Sequence, residues 1–441
     1  MAFSFPFFAR NKNKAKANHA RSVNAAGHWP DDPRTVSAGQ DIRGAAQLVG
    51  QRAAGLYLND PVMRSGVEAI VSNLVGDGVW LNHANVKLDK AFNSRRFDPS
   101  GLQTLVALQR SIARSWVIYG EALALLPTIE GQACVQMLHP DQLDRSKSED
   151  MGNGRRIIAG IELDQYDRVL AYWILPQSPE DPFGVYQPSE RFVAADVLHI
   201  FEREFPGQVR GISPLVSVLP VLNTASIAVE AGLKKLQVAA LFTAFLTTPD
   251  GSDIFDGNSA PSMEPGATVR LNPGETVDLA DGGDAGDLPA YLKILYRQIA
   301  AAIGCTYEDL IGDLEGVNYS SFRGGAMTAR RKSDARRSLL IIDGFMDPLY
   351  RRWQAVEMLR GSKDDFAEPE WIEPSWPQID PLKEADADVV LLNAGIKSRK
   401  EIIESRGREF GSVEAENKAD TFKPAAPLVV KPSENTEEET A

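Results

Sequence analysis

The sequence predicts an α+β fold that is largely helical. Long runs carry apolar residues at three-and-four spacing, in residues 37–75, 213–247 and 288–360. Between 120 and 201, short alternating segments are punctuated by Asp, Gly and Pro, as in antiparallel hairpins. These segments cluster instead of alternating with helices, which excludes a β-α-β architecture.

Residues 1–36 read as a flexible basic arm. An apolar start, Phe3 to Phe8, precedes a basic stretch from Arg10 to Arg21, the reverse of a secretory signal. The arm is either an unordered terminus or a partner-binding segment. Two helices follow, over 37–57 and from Pro61 to Leu74. Asp60 suits the cap between them, and Val67, Ile70 and Leu74 form an apolar face. Residues 101–126 form a helix that turns extended near Gly120. Strands are expected at 133–138, 156–163, 169–175 and 197–201, with a turn at 164–167.

Residues 213–247 predict one long helix, with Leu222, Ser226, Val229, Leu233, Leu236 and Ala240 recurring on one stripe. Such a narrow stripe suits packing against neighbouring helices, including those of other subunits. Glycines and prolines break 248–288, where only 267–271 and 276–279 read as strands. A second helix ends at Gly304, and 339–360 continues helical, with Trp353 and Leu359 at apolar positions and a kink at Pro348. Residues 365–380 are rich in Pro and Trp. Asp380 and Ser398 cap two further short helices, and 411–441 reads as a disordered acidic tail.

The chain has 441 residues and a formal net charge of −13, which argues against a simple nucleic-acid wrapper. Cys134 and Cys305 are far apart and read as buried reduced thiols. No segment reaches the roughly 18–20 uncharged apolar residues of a membrane span, so no membrane partner is expected. The sequence lacks a Walker motif, H-E-x-x-H, C-x-x-C and G-x-S-x-G. The five histidines are isolated, and His199 in its apolar strand reads as a core residue. We therefore expect no enzyme activity, no catalytic residues, no metal and no cofactor.

Against the acidic background, Arg323, Arg330, Arg331, Lys332, Arg336 and Arg337 concentrate in one helical run. Arg323, Arg330 and Arg337 are seven apart, which aligns them along one face. The face either follows a phosphate backbone or pairs with acidic residues such as Asp309, Asp313 or Glu315 across an interface.

Several stretches together resemble the lambda-type portal proteins of tailed bacteriophages: Leu58-Asn59-Asp60-Pro61, Ser115-Trp116, Gly160-Ile161-Glu162-Leu163-Asp164 and Val197-Leu198-His199-Ile200-Phe201. Others are Phe205 through Gly211, Ala239-Ala240-Leu241-Phe242, Gly312 through Arg323, and Asp380 through Ala385. The resemblance covers residues 37 to 410. It implies a subunit with wing, stem, clip and crown, assembling into a ring of usually twelve copies at one capsid vertex. Double-stranded DNA passes through the tunnel during packaging and ejection. Implied partners are the terminase large subunit, head-completion and connector proteins, and the major capsid and scaffold proteins. Implied locations are the virion and, during assembly, the host cytoplasm.

By position, the resemblance implies a wing at 37–212, stem helices at 213–247 and 288–304, and a clip at 248–287. A tunnel-loop region would occupy 305–325, a long helix and return to the wing 326–380, and a helical crown 381–410. Asn318, Tyr319, Arg323 and Arg330 are the expected DNA-facing residues, with Gly312, Gly316, Gly324 and Gly325 giving the loop its freedom. Arg331, Lys332, Arg336, Arg337, Leu233 and Leu236 are the expected subunit contacts. The rival readings are a capsid scaffold or head-tail adaptor without a tunnel, and a hydrolase without a recognisable motif.

Overall fold

The computed structural model describes residues 38–83, 85–185, 187–241, 245–247, 276–278, 288–364, 366–378 and 380–420. The chain divides into two compact units, one built from residues up to Gly78 with Ala91–Glu368, the other from Val79–Lys90 and the residues from Pro369 onward.

The first unit opens with helices Ala38–Asn59 and Pro61–Val75. Asp60 Oδ1 accepts the Met63 N–H at 2.8 Å, so the expected cap is present, and Met63, Val67, Ile70, Val71 and Leu74 form the buried face. Helix Leu105–Tyr119 packs against both and buries Leu108, Ile112 and Trp116. It stops at Gly120, whose φ is 85° and whose missing Cβ would sit 2.1 Å from the Ile212 carbonyl carbon. Only glycine satisfies both conditions. The chain then continues as strand Glu121–Leu125, paired antiparallel with Val197–Phe201 on one side and Gln136–Leu138 on the other.

A second, five-stranded antiparallel sheet runs in the order Glu190–Val193, Val169–Ile174, Ile161–Leu163, Arg155–Ile158, Glu149–Gly152. Leu123, Leu143, Ile161, Leu163, Tyr172, Ile174 and Val197 form a core cluster drawn from both sheets. The strand expected over 156–163 is a hairpin instead, because Ala159 and Gly160 take positive φ values of 49° and 84°. Two left-handed residues in a row make the two-residue turn whose twist matches paired strands. Ala-Gly lacks the Asn or Asp that marks such turns, so the sequence signal was weak. The expected strand at 133–138 is likewise split, and the strands at Glu149–Gly152 and Glu190–Val193 were not foreseen.

Helix Val218–Leu241 follows a short 3-10 turn and packs alongside Leu288–Ile303. It is shorter than expected, because Phe245–Thr247 is a strand paired antiparallel with Thr276–Asp278. The expected strand at 267–271 and most of the 248–287 segment lie outside the described residues. By length and composition, Pro214–Gln237 could cross a membrane, with mean hydropathy 1.5 and only 28% of the window buried.

The helix Tyr319–Arg337 runs into a π-helical stretch, Ser338–Met346, and then helix Asp347–Leu359. Leu340, Ile341, Phe345 and Met346 are buried, a spacing of one, four and one that an α-helix would splay across two faces. The wider π turn returns them to one. The irregularity therefore precedes Pro348, which sits in the first turn of the next helix. Trp353 is buried against Phe92, Tyr350 and Phe366, whereas Leu359 is 88% exposed, contrary to expectation.

In the second unit, strand Trp80–Asn82 pairs antiparallel with Glu370–Ile372. Asp380 and Ser398 cap helices Pro381–Asn393 and Arg399–Glu404 as expected. Residues Phe410–Ala419 form a helix where a disordered tail was expected to begin; 421–441 lie outside the described residues.

Candidate nucleic-acid-facing segment

The segment from 288 to 337 is a helix, a short helix, a loop and a long helix. Gly304, with φ 88°, ends the first. Thr306 and Asp309 then exchange hydrogen bonds, Oγ1 accepting from Asp309 N–H at 3.0 Å and Oδ2 accepting from Thr306 N–H at 3.3 Å. This capping box starts Tyr307–Ile311, and Gly312, with φ 78°, closes it. Asp313 organises the loop: it accepts from Glu315 N–H at 2.9 Å and Tyr307 Oη at 3.3 Å, and lies 3.6 Å from Lys293 Nζ. The Glu315 amide and Lys293 hold its carboxyl below the usual range. Gly316 turns the chain again at φ 72°.

Asn318 begins the long helix, its Oδ1 accepting the Ser321 N–H at 2.8 Å. That side chain is therefore engaged in capping. Tyr319 is the first helical residue, and its side chain lies outside the described part. Gly324 and Gly325 sit inside the helix, not in a loop; among the four expected loop glycines only Gly312 and Gly316 take left-handed turns.

The seven-residue arginine line does not lie open along its length. Ala326, Ala329, Ser333 and Arg337 make up the buried stripe. Arg323 is exposed at the free end, Arg330 is half-buried, and Arg337 is buried. Arg331 and Lys332 are exposed.

Two expected subunit contacts are engaged within the protomer. Arg337 donates from Nε to the Leu74 carbonyl oxygen and from Nη2 to that of Asn73, both at 2.8 Å, and pairs with Asp334 at 2.8 Å. It thereby caps the C-terminal end of helix Pro61–Val75, where carbonyls lack partners and the helix dipole favours a cation. Arg336 lies 5.2 Å over the Trp116 ring, donates to the Ile303 carbonyl oxygen at 3.3 Å and reaches Glu202 at 3.4 Å.

The same unit holds a buried ionic network that sequence reasoning passed over. Glu121 accepts from Arg210 Nη2 and Nε, Arg145 Nη2 at 3.0 Å, His199 Nε2 at 3.0 Å and the Gly211 N–H at 3.0 Å. Burial opposes its charge, but Arg210 and these donors overcome that and hold the carboxyl well below its usual range. Burial outweighs Glu121 at His199 and lowers the imidazole, so a neutral ring donates to the carboxylate. The one available signal was a single Glu inside an apolar run, Val117 to Leu126. Donors thus surround the carboxylate on several sides. Among the described residues no group of three or more His, Cys, Asp or Glu is placed to hold a metal. Both cysteines are buried, and burial pushes the Cys305 thiol up to about 12.

The chain matches the family described as phage portal protein, lambda family, over residues 26–337. It is 26% identical over 295 residues to a probable portal protein of Halomonas phage phiHAP-1, covering 62% of this chain and 57% of the relative. It is 25% identical over 337 residues to portal protein B of Escherichia phage lambda, covering 65% of this chain and 62% of the relative. The chain thus spans about three-fifths of these relatives' length. Among solved structures, a chain from the neck of an empty GTA particle, computed with C6 symmetry, is similar in fold, with a TM-score of 0.50 and 16% identity over 87% of this chain and 96% of that one.

Proposed function

Because the chain belongs to the lambda family of phage portal proteins, we propose that it assembles into a ring at one capsid vertex and conducts double-stranded DNA during packaging and ejection. The observation that carries this reading is the uncovered apolar surface of the paired helices Val218–Leu241 and Leu288–Ile303. Leu233 is 54% exposed and Ile294 53%, with Ile227, Leu236 and Tyr291 also open. Several exposed apolar side chains on two paired helices suit a protein interface. In a ring, identical neighbours cover them, and a head-to-tail contact closes on itself. Twelve copies is the number we propose.

Arg323 is the exposed cation at the loop end of the basic helix, and it is the residue we assign to the DNA-facing side. Arg331 and Lys332 are assigned to neighbouring subunits. The chain supplies the conduit; the terminase motor supplies the chemistry, and terminase, head-completion and capsid proteins dock on the ring in the virion. Negative-stain imaging and mass photometry of the purified full chain test the reading. A ring with a central channel of duplex width is expected. A protein that stays monomeric across concentration and salt would remove it.

A further inference from the structure

The first unit holds a pocket and a projecting side chain that suit each other but sit at opposite ends of one strand. The pocket, of ≈ 210 Å³, has apolar walls that include Ile161, Leu163, Val169, Tyr172 and Phe201, with Arg156, its ion-pair partner Asp167, and Arg203 at its lining. It is smaller than the roughly 300–1,000 Å³ of a small-molecule site and closer to the size of one aromatic side chain. Arg203 is exposed and lies 5.9 Å over the Phe201 ring.

The loop joining Val169–Ile174 to Glu190–Val193 reads Ser178-Pro179-Glu180-Asp181-Pro182-Phe183-Gly184-Val185. Phe183 is 89% exposed and Val185 75%, so both side chains are available to a partner. The loop is also shaped. Asp181 Oδ1 accepts the Phe183 N–H at 2.9 Å, and Ser178 Oγ accepts the Glu180 N–H at 3.2 Å. Glu180 and Asp181 flank the ring and are exposed. An acidic loop with an aromatic tip thus meets a pocket of matching size whose lining carries two arginines against one aspartate.

The two features lie apart. Val169, at the start of its strand, lines the pocket, while the loop leaves from the other end, beyond Ile174. Five residue steps, about 17 Å of strand, separate Val169 from Ile174, with Tyr172 of the same strand forming the inner wall of the pocket. Complementary surfaces at opposite ends of one element make a heterologous contact, the kind that closes a ring. We infer that Phe183 of one protomer inserts into the pocket beneath Arg156 and Arg203 of the next, with Glu180 and Asp181 beside those arginines. The inference rests on the ring reading and adds a second, peripheral contact to the one made by the paired helices.

The test places one cysteine at Val185 (V185C), beside an intact Phe183, and one at Val209 (V209C), a pocket-lining position, in the full chain and treats it with a short bismaleimide. Cys134 and Cys305 are buried and serve as the background. A ladder of covalent oligomers, lost when either substitution is made alone, is the expected result. An intrachain link without a ladder overturns the inference, as do intact rings that give no ladder, which leave the ring reading standing. A persistent monomer in the unmodified protein overturns both. As a second measurement, Phe183→Asp should lower ring yield about tenfold at fixed concentration without moving the melting temperature of the protomer. Unchanged ring yield would refute the docking.

Discussion

Arg337 Nε lies 2.8 Å from the Leu74 carbonyl oxygen, so a residue of the basic helix closes the end of a helix 263 positions earlier in the chain. Through this contact the basic helix is anchored at its C-terminal end and exposed at its N-terminal end. Arginines with the same spacing therefore have different environments.

Arg337→Met should destabilise the protomer by about 1–3 kcal/mol, because it leaves buried carbonyls without donors. Arg323→Met, at the exposed end, should change stability by less than about 0.5 kcal/mol. Urea denaturation of the two variants measures the contrast. Equal losses would contradict the anchoring role.

Replacing Arg210 by Met leaves the buried Glu121 carboxylate with Arg145, His199 and the Gly211 amide alone and should cost about 3–5 kcal/mol, whereas replacing the pair by apolar residues of matched volume, with Arg145 still paired to Asp141, should cost less. Thermal unfolding of the single and double variants provides the comparison.

Stability should fall on acidification in two stages. The folded state keeps His199 below its ordinary value of 6.5, so the unfolded chain gains that proton first as pH drops. The associated stability is present above 6.5 and is lost as pH falls from there toward the lowered folded value. Glu121 adds a second loss below its ordinary 4.5, continuing down through its depressed folded value. In melting curves between pH 8 and pH 5, His199→Gln should flatten the first stage. An unchanged slope would show that another group drives it.

Gly120→Ala and Gly312→Ala separate conformational strain from collision. Both residues take left-handed φ, which costs a side chain about 1–2 kcal/mol. Around Gly312 nothing lies within 4 Å of the added carbon, but at Gly120 it would meet Ile212 and Ser213 backbone at 2.1 and 2.3 Å. Gly120→Ala should therefore impair folding well beyond Gly312→Ala, as judged by soluble yield and melting temperature.

Leu233→Asp and Ile294→Asp place charge on exposed apolar positions of the paired helices. Each should reduce ring formation at least tenfold while leaving protomer melting within a few degrees. Arg323→Ala should leave ring yield intact and alter DNA retention in assembled particles. Normal packaging and retention with that variant would remove Arg323 from the DNA-facing role.

Much of the local structure was legible. Asp60, Asp380 and Ser398 cap the helices their positions suggested, Gly304 stops the one it follows, and Val197–Phe201 is a strand. These features depend on backbone chemistry within a few residues, which composition records directly. The motif string ending at Arg323 also carried the family resemblance. The hairpin at Ala159-Gly160 and the π stretch were harder, since each is chosen by what the neighbouring strand or core accepts.

By itself, then, the sequence determined the class of fold, several helix ends and the family. Tertiary structure alone decided which charges are available. Arg336 and Arg337 read like their neighbours in sequence, yet distant carbonyls and the Trp116 ring engage them. Glu121 is one acidic residue among 60 Asp and Glu, and it is the buried hub of a network because Arg210, Arg145 and His199 arrive from other strands and loops. Burial and charge pairing depend on distances between segments far apart in the chain, and those distances exist only once the chain has folded.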